Sequence, residues 1–293
     1  MRVGIVIVLY NPDVEHVNTI INQFSAPEWV VAVVDNSASS TELKLPENGH
    51  YIHCKSNIGI AAAQNAGLKY VFGNKADYAF LLDQDSMFDQ NTAETLYRQF
   101  RQLENDTRIA AIGPSVLCQF SERVQRGKLQ RGHAINDETI EVMQIIASGM
   151  LLSKDAFAAV GDKETGLFID GVDHEWCWRA RKEGWKVFQS LAACMPHKQG
   201  DARVKLFGLT FKKGAPMRLY YQFRNICILA RRSYVPLYWK CRHVCAIPLR
   251  YVVNRFCFDE GAVRGAMMIQ GLKDGFKHRL GEMSSDSANV KNK

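Results

Sequence analysis

Two carboxylates stand one residue apart in the triplet Asp83-Gln84-Asp85. On a turn, this spacing offers the oxygen ligands that Mg²⁺ or Mn²⁺ prefers, and the remaining coordination positions can take phosphate oxygens. A metal held in this way neutralises the charge on a departing diphosphate. An isolated triplet of this kind also occurs in acidic surface turns. The very apolar run directly before it, residues 78–82, favours a metal and diphosphate site.

Two further segments carry groups that could contact a nucleotide. Asp35 ends an apolar run, and its carboxylate can accept a hydrogen bond from a base or a ribose, although Asp-Asn-Ser is equally typical of a turn. The segments Asn57–Ala61, which includes Gly59, and Gln64–Gly67 form a patch rich in small residues. It begins a predicted helix where a ligand could approach the backbone closely, or where helix and sheet pack tightly. The chain lacks GxGxxG and GxxxxGK[ST], so neither a dinucleotide fingerprint nor a P-loop is indicated.

Asp173 is the candidate general base, because a carboxylate that faces an acceptor hydroxyl can remove its proton. It lies at the entrance of a predicted helix, where an N-cap is the alternative role. His174 is a rival base, but its neighbouring position points its side chain another way. Two other residues could contact the metal and the diphosphate. His197 could ligate the metal as a neutral imidazole. Arg224 could bind a phosphate through two hydrogen bonds, unless it lies on a solvated basic face.

These residues must be positioned by an alternation of strands and helices. The sequence predicts buried strands over 3–10, 30–34, 50–54 and 77–82, with helices over 13–24, 61–72 and 89–103 between and after them. Such alternation predicts a parallel, doubly wound α/β sheet. Ligands bind at the carboxyl ends of the strands in these sheets, which is where Tyr10, Asp35 and the acidic triplet all fall.

The rest of the chain predicts a mixed region followed by helices. Strands are expected over 109–112, 148–152 and 187–192, a short helix over 154–160, and a loop or hairpin over 119–140. A helix is expected over 217–232, before Pro236. The length of 293 residues accommodates one large domain, predicted at 1–216, and a smaller helical region at 217–293.

Charge separates these two parts. Residues 201–293 contain 18 Lys and Arg against 6 Asp and Glu, whereas the first 200 residues contain 19 against 24. A basic segment can meet nucleic acid, anionic lipid or a phosphorylated substrate. Because residues 237–258 mix aromatic and basic side chains, we favour a membrane surface over nucleic acid, with an oligomer interface or a covering subdomain as alternatives.

Localisation follows from what the sequence lacks. The apolar run at 3–10 is too short for a signal peptide, and no run of about 18 apolar residues predicts a spanning helix. The eight cysteines form no CxxC pair, which disfavours a zinc ribbon. We therefore expect a reducing cytoplasm, with the protein peripheral on the inner face of the cytoplasmic membrane.

The order of the motifs resembles a family-2 glycosyltransferase with the GT-A fold, and within that family the bacterial rhamnosyltransferases. The resemblance covers roughly residues 1–230 and, more loosely, the C-terminal part. It rests on the segments VIVLYN, VVDNS, NIGIAAAQNAG, LLDQDS, SGMLLS, LFIDGVDHEWCWRA, HKQG and YYQFRN. The implied fold is a nucleotide-diphospho-sugar transferase with a mixed, mostly parallel sheet flanked by helices and a C-terminal helical extension.

The resemblance also implies roles for matching residues. Tyr10 and Asp35 would contact the base and ribose, Asp83 would approach the nucleotide, and Asp85 would ligate Mg²⁺ or Mn²⁺. Asp173 would be the catalytic base, with Val172 where the family more often has a Glu. His197 matches a late His that lies near metal or phosphate.

The implied reaction is an inverting transfer of L-rhamnose from dTDP-L-rhamnose. The acceptor would be a lipid-linked glycan in lipopolysaccharide, O-antigen or capsule assembly at the cytoplasmic membrane face. A UDP-hexose is the alternative donor. A sugar nucleotidyltransferase would need a Gly-rich, basic N-terminal loop that VIVLYNPD lacks, and a non-catalytic glycan-binding scaffold would not need acidic residues at several strand ends.

Overall fold

The structure is a computed structural model, and it describes most of the chain. Backbone is described for residues 2–118, 123–124, 132–197, 202–206 and 209–284. Side chains are described for these residues except 116–118, 123–124, 196–197, 202–206 and 209–212.

Strands alternate with helices through the first half of the chain, and helices dominate the last quarter. The strands are β1 (Arg2–Leu9), β2 (Trp29–Asp35), β3 (Gly49–His53), β4 (Ala76–Asp83), β5 (Ile109–Cys118), β6 (Arg123–Val124), β7 (His133–Ala134), β8 (Thr139–Val142), β9 (Met150–Ser153), β10 (Lys186–His197), β11 (Ala202–Leu206) and β12 (Leu209–Lys213). The α-helices are α1 (Val14–Asn22), α2 (Ile60–Gly73), α3 (Gln90–Leu103), α4 (Lys154–Val160), α5 (Val172–Lys182), α6 (Pro216–Ala230), α7 (Leu237–Cys245), α8 (Ile247–Phe256) and α9 (Gly261–Phe276).

One mixed sheet forms the centre of the molecule. Its strand order over the described residues is β3-β2-β1-β4-β9-β5-β10-β8-β7, with β6 paired to β5. Strands β3, β2, β1 and β4 are mutually parallel, and β9 runs antiparallel between β4 and β5. The carboxyl ends of β1, β2 and β4 therefore share one edge of the sheet.

The parallel strands are covered on both faces, which explains their continuous apolar sequences. One core cluster joins the sheet to α2, α4 and α5, and a second joins it to α1 and α3. Strand β2 shows the pattern most clearly, because all seven of its residues are buried. This double coverage holds the strand ends in a rigid layer beneath the polar loops.

The predicted α/β class and the mixed sheet flanked by helices are confirmed, and most predicted elements agree within two residues. Strands β5 and β10 extend well beyond the predicted segments 109–112 and 187–192. The hairpin of β11 and β12 was not predicted, and α9 lies in the region 217–293, which the sequence predicts as helical without bounds for this element. Parts of the predicted loop at 119–140 lie outside the described residues.

The C-terminal helices pack on one another and on the segment at 167–170. Helix α6 lies mainly against α9, and the side chain of Asn225 on α6 donates to the carbonyls of Leu167, Ile169 and Asp170. No helix in the described part of the chain is long and apolar enough to cross a membrane. The described cysteines are all free thiols.

Candidate active site

The loops after β1, β2 and β4 are hydrogen-bonded to one another. The Tyr10 N–H donates to Oε1 of Gln84 at 2.6 Å, and the Asn11 N–H donates to Oγ of Ser37 at 2.8 Å. Asn11 adopts a positive φ of 48°, so the chain turns sharply as it leaves β1. The Tyr10 ring is 52% exposed beside this junction, where a planar ligand could stack on it.

A short loop joins the acidic triplet to Asp173. The hydroxyl of Ser148 donates to Oδ2 of Asp83, and the N–H of the preceding Ala147 donates to Oδ2 of Asp173 at 3.0 Å. Gly149 follows at a φ of 78° and donates its N–H to the Leu81 carbonyl, which anchors the loop to β4. Residues 90 positions apart in the chain are therefore bridged by two adjacent residues.

Asp173 lies in the first turn of α5. The N-cap is Gly171, at a φ of 87° and without a side-chain cap, so the N-cap alternative for Asp173 is wrong. Its carboxylate is 25% exposed, and its Oδ1 lies 2.9 Å from Nζ of Lys163. His174 packs its ring against Trp178, and burial lowers the pKa of this histidine. The packing of its ring on Trp178 leaves the half-buried His174 less available to an acceptor hydroxyl than the carboxylate of Asp173 beside it.

Asp85 is suited to a hard cation. It lies exposed in the turn that follows β4, and within the described residues no hydrogen bond or ion pair engages its carboxylate. The described residues contain no group of three acidic, His or Cys side chains that could hold a metal. Mg²⁺ or Mn²⁺ can be bound through one or two protein carboxylates together with phosphate oxygens, so the role of Asp85 as a ligand stays a prediction. The His197 side chain lies outside the described residues, so its metal role stays a prediction.

Asp35 is buried rather than presented to the cleft, with 0% of its surface exposed. Its carboxylate accepts from the N–H groups of Ser37 and Thr41 and, at 2.6 Å, from the hydroxyl of Tyr51. Burial opposes ionisation, but these hydrogen bonds outweigh it and lower the pKa of Asp35 to about 2. In this geometry Asp35 shapes the loop at 36–41, and any contact with a nucleotide would come from that loop.

The lowered pKa of Asp35 predicts a pH-dependent stability. The carboxyl titrates near 4 in an unfolded chain, so its contribution is present above pH 4 and is lost as the pH falls towards 2. We expect Asp35→Asn to lower the free energy of unfolding by about 2 kcal/mol at pH 7 and by less at pH 3. Urea unfolding at pH 7, 5, 4 and 3 measures this. The exposed Asp77→Asn is the control, and parallel pH curves for Asp35→Asn and wild type would contradict the assignment.

Asn57 and Gly59 organise the start of α2. Oδ1 of Asn57 accepts from the Asn36 side chain and from the Gly59 N–H, at 2.8 and 3.0 Å. Gly59 has a φ of 84°, and a Cβ on it would lie 2.8 Å from the ring and the carbonyl of Phe168. The glycine is therefore required by the close approach of the loop at 165–171, and the predicted ligand contact at Asn57 and Gly59 stays a prediction.

Arg224 does not face a phosphate. It is fully buried, and its guanidinium donates to the carbonyls of Gly166, Leu167 and Gly281. These carbonyls belong to irregular backbone that has no sheet partner, and buried carbonyls need donors. The predicted phosphate role of Arg224 is contradicted, because its donors are used in holding the loop that leads into α5.

The sequence interpretation missed three residues that shape this site: Gln84, Ser148 and Lys163. The sequence assigns no chemistry to Gln84 within the acidic triplet. It predicts that Ser148 begins a strand. Lys163 lies in a polar stretch that resembles a surface loop. The segment SGMLLS was noticed as a family motif, but only the folded chain places its first residue beside Asp83.

Comparison with known proteins agrees with this geometry. Residues 6–161 match the sequence model of a family described as glycosyl transferase family 2. Over 253 residues the chain is 32% identical to the dTDP-rhamnosyl transferase RfbF of Shigella flexneri, with 82% of this chain and 83% of RfbF covered. Over 297 residues it is 22% identical to the low-salt glycan biosynthesis hexosyltransferase Agl10 of Haloferax volcanii, with 95% and 92% covered.

Two solved structures share the fold. TarS of S. aureus superposes with a TM-score of 0.54 at 12% identity, over 99% of this chain and 50% of TarS. GalNAc-T7, determined with UDP, GalNAc and Mn²⁺, superposes with a TM-score of 0.54 at 13% identity, over 94% of this chain and 56% of that chain. The chain thus spans about half the length of either structure, and the likeness concerns the fold alone.

Proposed function

The chain belongs to glycosyl transferase family 2, and on this premise we propose that it transfers L-rhamnose from dTDP-L-rhamnose to a hydroxyl of a lipid-linked glycan. The similarity to a dTDP-rhamnosyl transferase over most of both chains supports the donor. The loop at 147–148 supports the site, because it contacts both Asp83 and Asp173. Asp83, the proposed donor contact, and Asp173, the proposed base, are thereby both hydrogen-bonded to one short segment.

The proposed mechanism is a single displacement. Asp173 accepts the proton of the acceptor hydroxyl, and the oxygen attacks the anomeric carbon from the face opposite the nucleotide. The bond from that carbon to the diphosphate oxygen breaks as the new bond forms, so the anomeric centre is inverted. Mg²⁺ or Mn²⁺ on Asp85, with His197 as a further candidate ligand, would supply positive charge at the departing diphosphate. Tyr10 and the loop at 36–41 would hold the base and ribose.

A UDP-hexose is the second candidate donor, because Agl10 is a hexosyltransferase and matches nearly the whole chain. A donor panel separates the two. We expect dTDP release from dTDP-L-rhamnose with Mn²⁺, with water as the acceptor, and little release from UDP-glucose, UDP-galactose or GDP-mannose. Release from a UDP-hexose alone would overturn the rhamnosyl assignment and leave the family membership intact.

Binding of the nucleotide is tested without turnover. At 100 times its dissociation constant, dTDP with Mn²⁺ should add about 2.7 kcal/mol to the stability of the folded state. For a chain of this size that corresponds to a rise in melting temperature of about 5–10 °C. EDTA should abolish the rise. A protein that only binds glycans would show no protection by dTDP in either condition.

We also propose that the C-terminal helices lie on the cytoplasmic face of a membrane, where a lipid-linked acceptor is found. Helix α7 exposes Leu237 and Val244, and α8 exposes Leu249, Val252 and Phe256 at helical spacing. Arg242 is exposed on the same helices. Apolar stripes with neighbouring basic groups are typical of helices that rest in the headgroup region of anionic bilayers. Co-sedimentation with anionic but not neutral vesicles tests this assignment.

A further inference from the structure

Lys163 is a buried lysine at the back of the candidate base. Only 1% of the residue is exposed, although lysine is among the residues least often buried. Its Nζ lies 2.9 Å from Oδ1 of Asp173 and 5.9 Å from the ring centre of Trp176. The cost of burying an ammonium group is high unless a partner compensates it, and Asp173 is the carboxylate that does so here.

The backbone of Lys163 is held as firmly as its side chain. The amide of Asn65, buried on α2, accepts from the Lys163 N–H and donates to the Lys163 carbonyl, both at 2.9 Å. Trp176, one turn into α5, donates its indole N–H to the Gly161 carbonyl. The ammonium group is therefore presented from a rigid framework built by α2 and α5.

The acidic neighbours of Lys163 have other partners. Asp162 pairs with Lys69, Glu164 with Arg232, and Glu175 with both Arg179 and Arg232. Within the described residues, Asp173 is the ion-pair partner of Lys163. A lysine with a purely structural role could pair with any of these carboxylates. The Lys163 ammonium instead contacts one oxygen, Oδ1 of Asp173.

We propose that Lys163 is a positioning residue for the base Asp173. The ammonium group holds Oδ1 and the Ala147 N–H holds Oδ2, so the carboxylate has one orientation. The carboxylate is 25% exposed, so it can be reached by an acceptor hydroxyl. The acceptor proton passes to Asp173 and leaves to water after product release. This inference rests on the proposed role of Asp173.

Stability alone is a weak explanation for this pair. A buried ion pair often contributes little net stability, because desolvation offsets the attraction between the charges. A base that is displaced by about 1 Å, in contrast, can lose roughly 100-fold in rate. The benefit of burying Lys163 is therefore expected in turnover.

A double-mutant cycle tests the proposal. We expect Lys163→Met to lower turnover roughly 10- to 100-fold at saturating dTDP-L-rhamnose with Mn²⁺, and to leave the donor KM within about threefold. In the Asp173→Asn background the same substitution should change turnover by less than about threefold, because the group it positions is absent. Lys69→Met, which removes an exposed lysine from the adjacent pair with Asp162, should be near wild type.

Several outcomes overturn the proposal. Equal losses from Lys163→Met in both backgrounds would show that Lys163 acts independently of Asp173, and an unchanged turnover would show that the carboxylate orients itself. Thermal protection by dTDP with Mn²⁺ verifies that each variant is folded. If Lys163→Met does not fold, Lys163→Gln, which retains a donor, enters the same cycle. If wild type releases no dTDP from dTDP-L-rhamnose, the proposed function fails first, and the two failures are distinguished.

Discussion

Replacing Asp173 by asparagine is expected to lower turnover by at least about 100-fold at saturating donor, with the donor KM nearly unchanged. Asparagine keeps the size of the side chain but cannot accept the acceptor proton. The loss should appear in turnover and not in the donor KM, because the loop at 147–148 lies between Asp173 and Asp83, the proposed donor contact. Turnover within about tenfold of wild type would contradict the base assignment.

The same substitution has a cost in stability that must be separated from chemistry. Asp173→Asn leaves the Lys163 ammonium buried without a counter-ion, and breaking such a pair from one side costs about 3–5 kcal/mol when both partners are buried. Because Asp173 is 25% exposed, we expect about 2 kcal/mol. The double variant Lys163→Met/Asp173→Asn should recover most of this stability and none of the activity. Asp162→Asn, an exposed carboxylate beside Lys163, is the matched control.

The parallel strands could be predicted from the sequence because a strand that is buried on both faces has a continuous apolar sequence. Strand β2 is an uninterrupted apolar run, mostly valine, up to Asp35, where the pattern stops. The strand ends bring Tyr10, Asp35 and the acidic triplet to one edge through topology alone. The placement of these three groups therefore needed no knowledge of side-chain contacts.

The partners of these residues were not accessible in the same way. Lys163 meets Asn65 across 98 positions, and Ser148 meets Asp83 across 65, without any periodic pattern that relates them. Arg224 was misjudged for a related reason. An arginine on an amphipathic helix looks the same whether it meets a phosphate or the carbonyls of a loop, and the need of residues 166–167 for donors appears only after folding.

Asp35 shows how the type of a residue can be right and its use different. A carboxylate at the end of β2 was predicted for the nucleotide, yet its hydrogen bonds are taken up by Ser37, Thr41 and Tyr51. The sequence does not reveal this because Thr41 and Tyr51 approach from a loop and from β3. The negative charge of Asp35 therefore stabilises the loop at 36–41.

Asp85→Asn is expected to lower turnover while leaving the free energy of unfolding nearly unchanged. Gln84 is bonded to Tyr10 and Asp83 to Ser148, so the turn keeps its shape without Asp85. We expect the free energy of unfolding without ligand to change by less than about 0.5 kcal/mol, as for an exposed side chain that has no partner in the described structure. Turnover should fall by about 100-fold or more, since several kcal/mol of charge stabilisation at the diphosphate would be lost.

The decisive measurement for Asp85 is ligand protection. Wild type should be stabilised by dTDP only when Mn²⁺ or Mg²⁺ is present, and Asp85→Asn should lose most of that metal-dependent increment. Glu94→Gln, an exposed change of the same charge on α3, should retain it. If Asp85→Asn keeps the full increment, the metal is held elsewhere, and His197 becomes the first ligand to test. If the metal-dependent increment is lost while the stability without ligand is unchanged, Asp85 acts on the metal, and Tyr10 with the loop at 36–41 remains the proposed nucleotide contact.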